Sequence, residues 1–202
     1  MRVFLSFILT FFAFECLAQN SISKVIKEYR MVEIVDATRI EAEITVFIAC
    51  MEAKDWDNAH KAVKKLYRLD KTNKELHYTT IGYVLEMKNK PEKALKIYKR
   101  AVSRYNYFEW GYFNLGRIYY DRGLEILSNA MKMPPQQYLI ERDKSHEYFG
   151  QAKPLFETAY QINKNIDCLH ALKAIYYYLY MMREFDETER LIQDIRSSVS
   201  EI

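Results

Sequence analysis

Glycine and proline are scarce, 5 and 4 of 202 residues. An all-β sandwich or barrel of this length needs many tight turns, and those turns draw on both residues. The shortage excludes that architecture and favours helix. Cysteine is scarcer still: Cys16, Cys50 and Cys168 form an odd, dispersed set, which excludes a disulfide scaffold. The four histidines, His60, His77, His146 and His170, have no His-x3-His pair and no Cys-x2-Cys companion, so the spacing of a metal site is missing. There is no glycine-rich phosphate loop and no nucleophile elbow. No cofactor is expected. Net charge is only +3, which is no polyanion-binding signature for the chain as a whole.

What is present is apolar material. Half of the chain is hydrophobic and 28% is charged, enough for a sizeable core in one domain or at most two. One long apolar run occurs, Val3 to Phe14, behind the single basic residue Arg2 and ahead of Cys16-Leu17-Ala18. This is the layout of a cleaved secretory signal over residues 1–18, and the run is too short to span a bilayer. Phe14-Glu15 before Cys16 does not suit lipid attachment. Cleavage after Ala18 leaves a chain beginning Gln19-Asn20, exported to the periplasm or the exterior. Residues 19–37 read as an N-terminal segment in which Ile22, Val25, Ile26 and Tyr29 suggest a short helix.

The remainder repeats. Trp56-Asp57-Asn58-Ala59-His60-Lys61-Ala62-Val63 is echoed by Pro91-Glu92-Lys93-Ala94-Leu95-Lys96-Ile97-Tyr98, with Ala59 and Ala94 35 positions apart. Tyr78-x2-Ile81-Gly82-x2-Leu85 recurs as Tyr112-x2-Leu115-Gly116-x2-Tyr119. A small residue at 82 or 116 lets two helices approach closely, while Ile81, Leu85, Leu115 and Tyr119 project from successive turns of one face. Ala59, Ala94 and Ala152 supply the matching contact on the second helix.

Ala152 breaks the period. The excess is helical in pattern: Leu124, Ile126, Leu127, Ala130, Met131 and Met133 run to Pro134-Pro135, and Tyr138, Phe149, Leu155, Phe156, Ala159 and Ile162 return. Two helices lengthened by about a dozen residues each, roughly 18 Å, fit this better than a loop. Pro154, in the returning helix, removes a donor from the carbonyl of Gly150, and a kink is expected there. A last segment, Leu169-x2-Leu172-x3-Tyr176-x2-Leu179, keeps the spacing with Lys173 in place of glycine. Its second helix carries Phe185, Leu191, Ile192 and Ile195 among charges, as an end cap should. Upstream, Thr38 to Ala53 supplies a first helix with Val46 and Cys50 inward and Phe47 in place of glycine.

These motifs resemble the tetratricopeptide (TPR) pattern, and residues 74–197 resemble exported TPR proteins of Gram-negative bacteria with a lengthened third hairpin. The resemblance implies an all-α solenoid over 38–202, with hairpins near 40–73, 74–107, 108–165 and 166–198. It places Cys50 and Cys168 in repeats one and four, too far apart to bridge, as reduced and buried thiols. It also implies that positions two, five, nine and twelve of each first helix line a concave groove. These are Leu76, Thr79, Tyr83 and Glu86, then Trp110, Phe113, Arg117 and Tyr120, then Asp167, His170, Ala174 and Tyr177. The Lys and Asn clamp that some TPR domains use for a C-terminal carboxylate is missing. A groove of Tyr83, Trp110, Phe113, Arg117, Tyr120, His170 and Tyr177 suits instead a peptide or helix with apolar anchors.

Charge is uneven. Residues 54–104 hold 14 Lys and Arg against 6 Asp and Glu, concentrated at Lys61, Lys64, Lys65, Arg68, Lys93, Lys96, Lys99, Arg100 and Arg104. These positions fall on second helices, where a solvated outer face is the plain reading and contact with an acidic protein or an anionic membrane surface the sharper one. Export argues against nucleic acid. The expected function is a non-catalytic interaction scaffold in the cell envelope that binds protein or peptide. A self-associating module, or an enzyme with its site in the long hairpin, is the alternative.

Overall fold

The computed structural model describes residues 36–200; the signal at 1–18, the segment at 19–35 and Cys16 lie outside the described residues. Among the described residues there are eight helices and no strand. They are α1 Asp36–Glu52, α2 Trp56–Leu69, α3 Lys74–Met87, α4 Pro91–Arg104, α5 Glu109–Ala130, α6 Pro135–Asn163, α7 Ile166–Tyr178 and α8 Met182–Ser200. The chain divides into two compact units between Asn89 and Lys90.

The first unit contains α1, α2 and α3. Asp55 starts α2 by accepting from the backbone and side-chain nitrogens of Asn58 at 3.1 and 2.6 Å, the usual way a short carboxylate satisfies an orphan donor. Ala59, Ala62, Val63 and Leu66 then bury one face of α2, and Val46 and Cys50 are buried on α1. The turn from α2 into α3 is organised by Asp70. Its carboxylate accepts from the backbone and hydroxyl of Thr72 (2.9 and 2.6 Å), from both nitrogens of Asn73 (3.2 and 2.8 Å) and from Nε2 of His77 (2.9 Å). Burial alone would raise this carboxyl, but the hydrogen bonds from Thr72, Asn73 and His77 outweigh it and hold it well below the usual carboxylate range.

The second unit contains α4 to α8. The helices α5 and α6, 22 and 29 residues, reach about 33 and 43 Å at the helical rise, against about 21 Å for a 14-residue helix. The lengthening is helix on both arms, joined at Pro134-Pro135, with Pro135 in the first helical position where its missing donor costs nothing. Met131, Met133, Leu139 and Ile140 are exposed at this tip. Below it, the seam between α5 and α6 is set by glycines. A Cβ on Gly116 would lie 3.2 Å from the ring of Phe156 and 3.3 Å from Cβ of Leu155, and one on Gly123 would lie 2.7 Å from the ring of Phe149. Gly123 is therefore the tighter contact, although the repeat motif points to Gly116. Gly150 faces open space, and α6 continues as one helix through Pro154.

Among the described residues, four other than glycine take positive φ, Lys54, Asn89, Lys164 and Tyr180, each at a helix–helix turn. A left-handed residue commonly closes a helix, and glycine is the usual choice. With 5 glycines in the chain, the turns use other side chains. The turn at Lys164 is fastened from a distance: Glu109, buried at the start of α5, accepts from Nδ2 of Asn163 and, at 3.0 Å, from Nδ2 of Asn165.

Candidate functional site

The seven residues implied as a groove fall in both units. Tyr83 lies on α3 in the first unit and is 39% exposed. The other six belong to the second unit. Trp110, in the first turn of α5, is 45% exposed and meets Phe113 edge to face at 5.7 Å. Phe113 in turn meets buried Phe156 of α6 at 5.5 Å, and Tyr120 lies 5.7 Å from buried Phe149 of the same helix. Phe113 and Tyr120, implied as groove positions, thus both lean on the hairpin partner α6. Residues 113, 116, 120 and 123 share one stripe at three- and four-residue spacing, so both rings flank the glycines that receive α6.

Arg117 stands between these rings, half-buried, and pairs with Asp121 one turn on at 3.2 Å. Burial, with Tyr178 and Asp121 adding to it, raises the Tyr120 hydroxyl above its ordinary value. The influence of Tyr178 marks a contact that sequence reasoning missed. Tyr178 stacks on Phe149 at 4.8 Å, with planes 9° apart, so Tyr120, Phe149 and Tyr178 join α5, α6 and α7 in one aromatic block. The residue chosen from the repeat register, Tyr177, is 57% exposed and turns toward Phe185 of α8 at 6.1 Å. His170 also turns to α8, where its Nε2 lies 3.4 Å from Nη2 of Arg196. Thr79, another implied groove position, is buried, its hydroxyl donating to the carbonyl of Glu75 at 2.6 Å.

The arrangement offers contact surface and little reactive chemistry. Cys50 and Cys168 are both fully buried. Burial, with Glu109 and Asp167 nearby, pushes the Cys168 thiol up to about 12, which leaves it protonated and a poor nucleophile. The phenol of Tyr176 is raised by burial and by Glu157, which accepts its hydroxyl at 3.1 Å. In the long hairpin, burial and then Arg142 lower the His146 imidazole, which packs on Tyr180 at 5.7 Å. Among the described residues no three His, Cys, Asp or Glu side chains gather as a metal site, and no helix is long and apolar enough to cross a membrane.

No family model and no curated protein sequence matches the chain. Solved structures do. The crystal structure of MamA aligns over 91% of this chain and 94% of its own at 17% identity, with a TM-score of 0.59. YrrB, described as a TPR protein with an unusual peptide-binding site, aligns over 88% of this chain and 79% of its own at 16% identity and a TM-score of 0.55. A monomeric mutant of IFIT1, solved with Gppp-AAAA, aligns over 75% of this chain and 32% of its own at 14% identity and a TM-score of 0.58. Identities this low speak to fold and not to ligand. The chain has the fold of the TPR proteins, an α-solenoid of helical hairpins with the third one elongated.

Proposed function

We propose that the chain is a non-catalytic adaptor that holds a peptide or protein segment against α5 at Trp110 and Arg117. The observation that carries this reading is Trp110: nearly half exposed, yet braced edge to face by Phe113, which rests on buried Phe156. A large aromatic ring on a rigid footing loses little freedom when covered, and such rings are enriched among residues that dominate binding energy. Arg117, held by Asp121, adds polar groups one and a half to two turns further along the same helix. Because that ion pair occupies part of its charge, Arg117 suits a backbone carbonyl of an extended segment better than it suits a free carboxylate.

The sequence of residues 1–18 supports an envelope location for this adaptor, and intact-mass measurement of protein from its native host tests it, since retained Met1 would refute export. The binding surface is tested by selecting peptides from a displayed library and measuring affinity and melting temperature together. Trp110→Ala and Arg117→Ala should each weaken the selected peptide about thirtyfold, near 2 kcal/mol, with little change in melting temperature. Phe113→Ala and Tyr120→Ala, whose rings brace α6, should lower the melting temperature as well. Folded Trp110→Ala protein that binds as well as the parent would remove this surface from consideration.

A further inference from the structure

The repeat carries a second pattern, in charge. The helices α2 and α4 each contain one acidic residue, near the first turn, and each is held by a cation later in its own unit: Asp57 by Lys88, and Glu92 by Arg122. Beyond that point neither helix has another acid. With Ala59 aligned on Ala94, Lys61, Lys64 and Lys65 fall on Lys96, Lys99 and Arg100. All six are exposed, and Arg68, Lys93 and Arg104 extend the two rows. Lys65 meets buried Glu43, whereas Lys64, Arg68, Lys93, Lys96 and Arg100 meet no carboxylate among the described residues. The third second helix lacks the row. With Ala152 in the same register, α6 has Pro154, Glu157 and Thr158 at the cationic positions.

Like charges three and four residues apart on one helix repel. A merely solvated face gains from mixing signs, so two acid-free rows in the same register ask for an anionic counterpart. We propose that the exposed cationic rows of α2 and of α4, each within its own unit, bind an anionic lipid bilayer. Neither helix exposes a large apolar side chain, so these faces lack the buried anchor that a protein partner needs. Lysine, which supplies six of the nine cations named above, is depleted in protein interfaces. Exposed aromatic rings, on which single-stranded nucleic acid would stack, are absent from both helices. A bilayer needs neither anchor nor stacking. Its surface potential attracts each lysine within a Debye length, and the contributions sum along each row.

The test is sedimentation of the full chain with phosphatidylcholine vesicles, alone or with about a third phosphatidylglycerol, with salt raised from about 0.1 to 0.5 M. Residues 1–18, with Arg2, are common to the parent and the variants, so the comparison between those chains on anionic vesicles cancels their contribution. The chain should favour anionic vesicles at least about tenfold at the lower salt and lose that preference at the higher. Two triple variants, Lys61→Glu/Lys64→Glu/Arg68→Glu and Lys93→Glu/Lys96→Glu/Arg100→Glu, should each reduce anionic binding about tenfold or more. They leave the Lys65–Glu43 pair intact, and the matching glutamine triples serve if a charge reversal lowers the melting temperature. Equal binding to both vesicle types, or unchanged binding by folded variants, overturns the proposal. So does a chain that ignores anionic vesicles but binds duplex DNA or polyglutamate with the same salt and variant dependence.

Discussion

The turn from α2 into α3 and the turn from α6 into α7 do the same job, passing the chain from one hairpin to the next, and a buried carboxylate fastens each. They differ in where that carboxylate comes from. Asp70 belongs to its own turn, and its most distant partner, His77, is 7 residues on. Glu109 reaches Asn163 and Asn165 across 54 and 56 residues. A carboxylate within the turn can fasten it whenever residues 70–77 come together. One from the start of α5 can do so only after α5 and α6 have paired along their whole length. The first turn is self-sufficient, while the second reports that the long hairpin has closed.

Asp70→Ala should produce the largest effect. It leaves buried His77 and the part-buried donors of Thr72 and Asn73 without their acceptor, and a loss of about 3 kcal/mol is expected by thermal or urea unfolding. Acid should act the same way. Because the folded carboxyl is held below its unfolded value, its contribution is fully present above the unfolded range near pH 4 and disappears as pH falls toward the folded value. Stability of the parent should therefore fall on acidification more steeply than stability of Asp70→Asn. Parallel acid profiles would mean that the turn does not depend on this carboxylate.

Glu109→Ala should cost about 2 kcal/mol, since it frees two amide donors that keep other, partly exposed surroundings. The comparison sharpens in hydrogen exchange. Losing Glu109 should speed exchange at both ends of its link, the first turn of α5 and the α6–α7 turn, whereas losing Asp70 should act only around residues 70–77. Exchange confined to the α6–α7 turn in Glu109→Ala would erase the distinction. The smallest effect runs the other way. Lys164 closes α6 at a φ of 49°, a region in which a Cβ is strained, so Lys164→Gly should stabilise the protein by about 1 kcal/mol. A lower melting temperature for that variant would show that the Lys164 ammonium over the Tyr160 ring, 4.7 Å away, outweighs the backbone strain.

Helical periodicity made much of this molecule legible. Ala59, Ala94 and Ala152, chosen as close-contact points, are fully buried, as are Val46 and Cys50 on α1. The apolar pattern on both sides of Pro134-Pro135 marked the long hairpin as helix, and it is helix. The candidate surface was legible only in part. Trp110 is exposed, but Phe113 and Tyr120 brace α6, and Tyr178, which the repeat register did not single out, stacks on Phe149 beside them. A spacing of three and four says which residues share a face. It does not say which neighbour that face meets, or how far a large ring leans across the boundary between two faces.

The same division separates what the sequence determined from what tertiary structure decided. Composition and periodicity determined helix, the hairpin repeat, the elongation of the third hairpin and the cationic rows, because each depends on residues a few positions apart. Tertiary structure decided that Gly123 and not Gly116 is the tightest contact, because that depends on the ring of Phe149, 26 residues away on α6. It decided as well that Glu109 is a fastening and not a surface charge, since the side-chain donors that hold it arrive only when α5 and α6 lie side by side. Local pattern fixes the face a residue occupies, and packing alone fixes the partner it finds there.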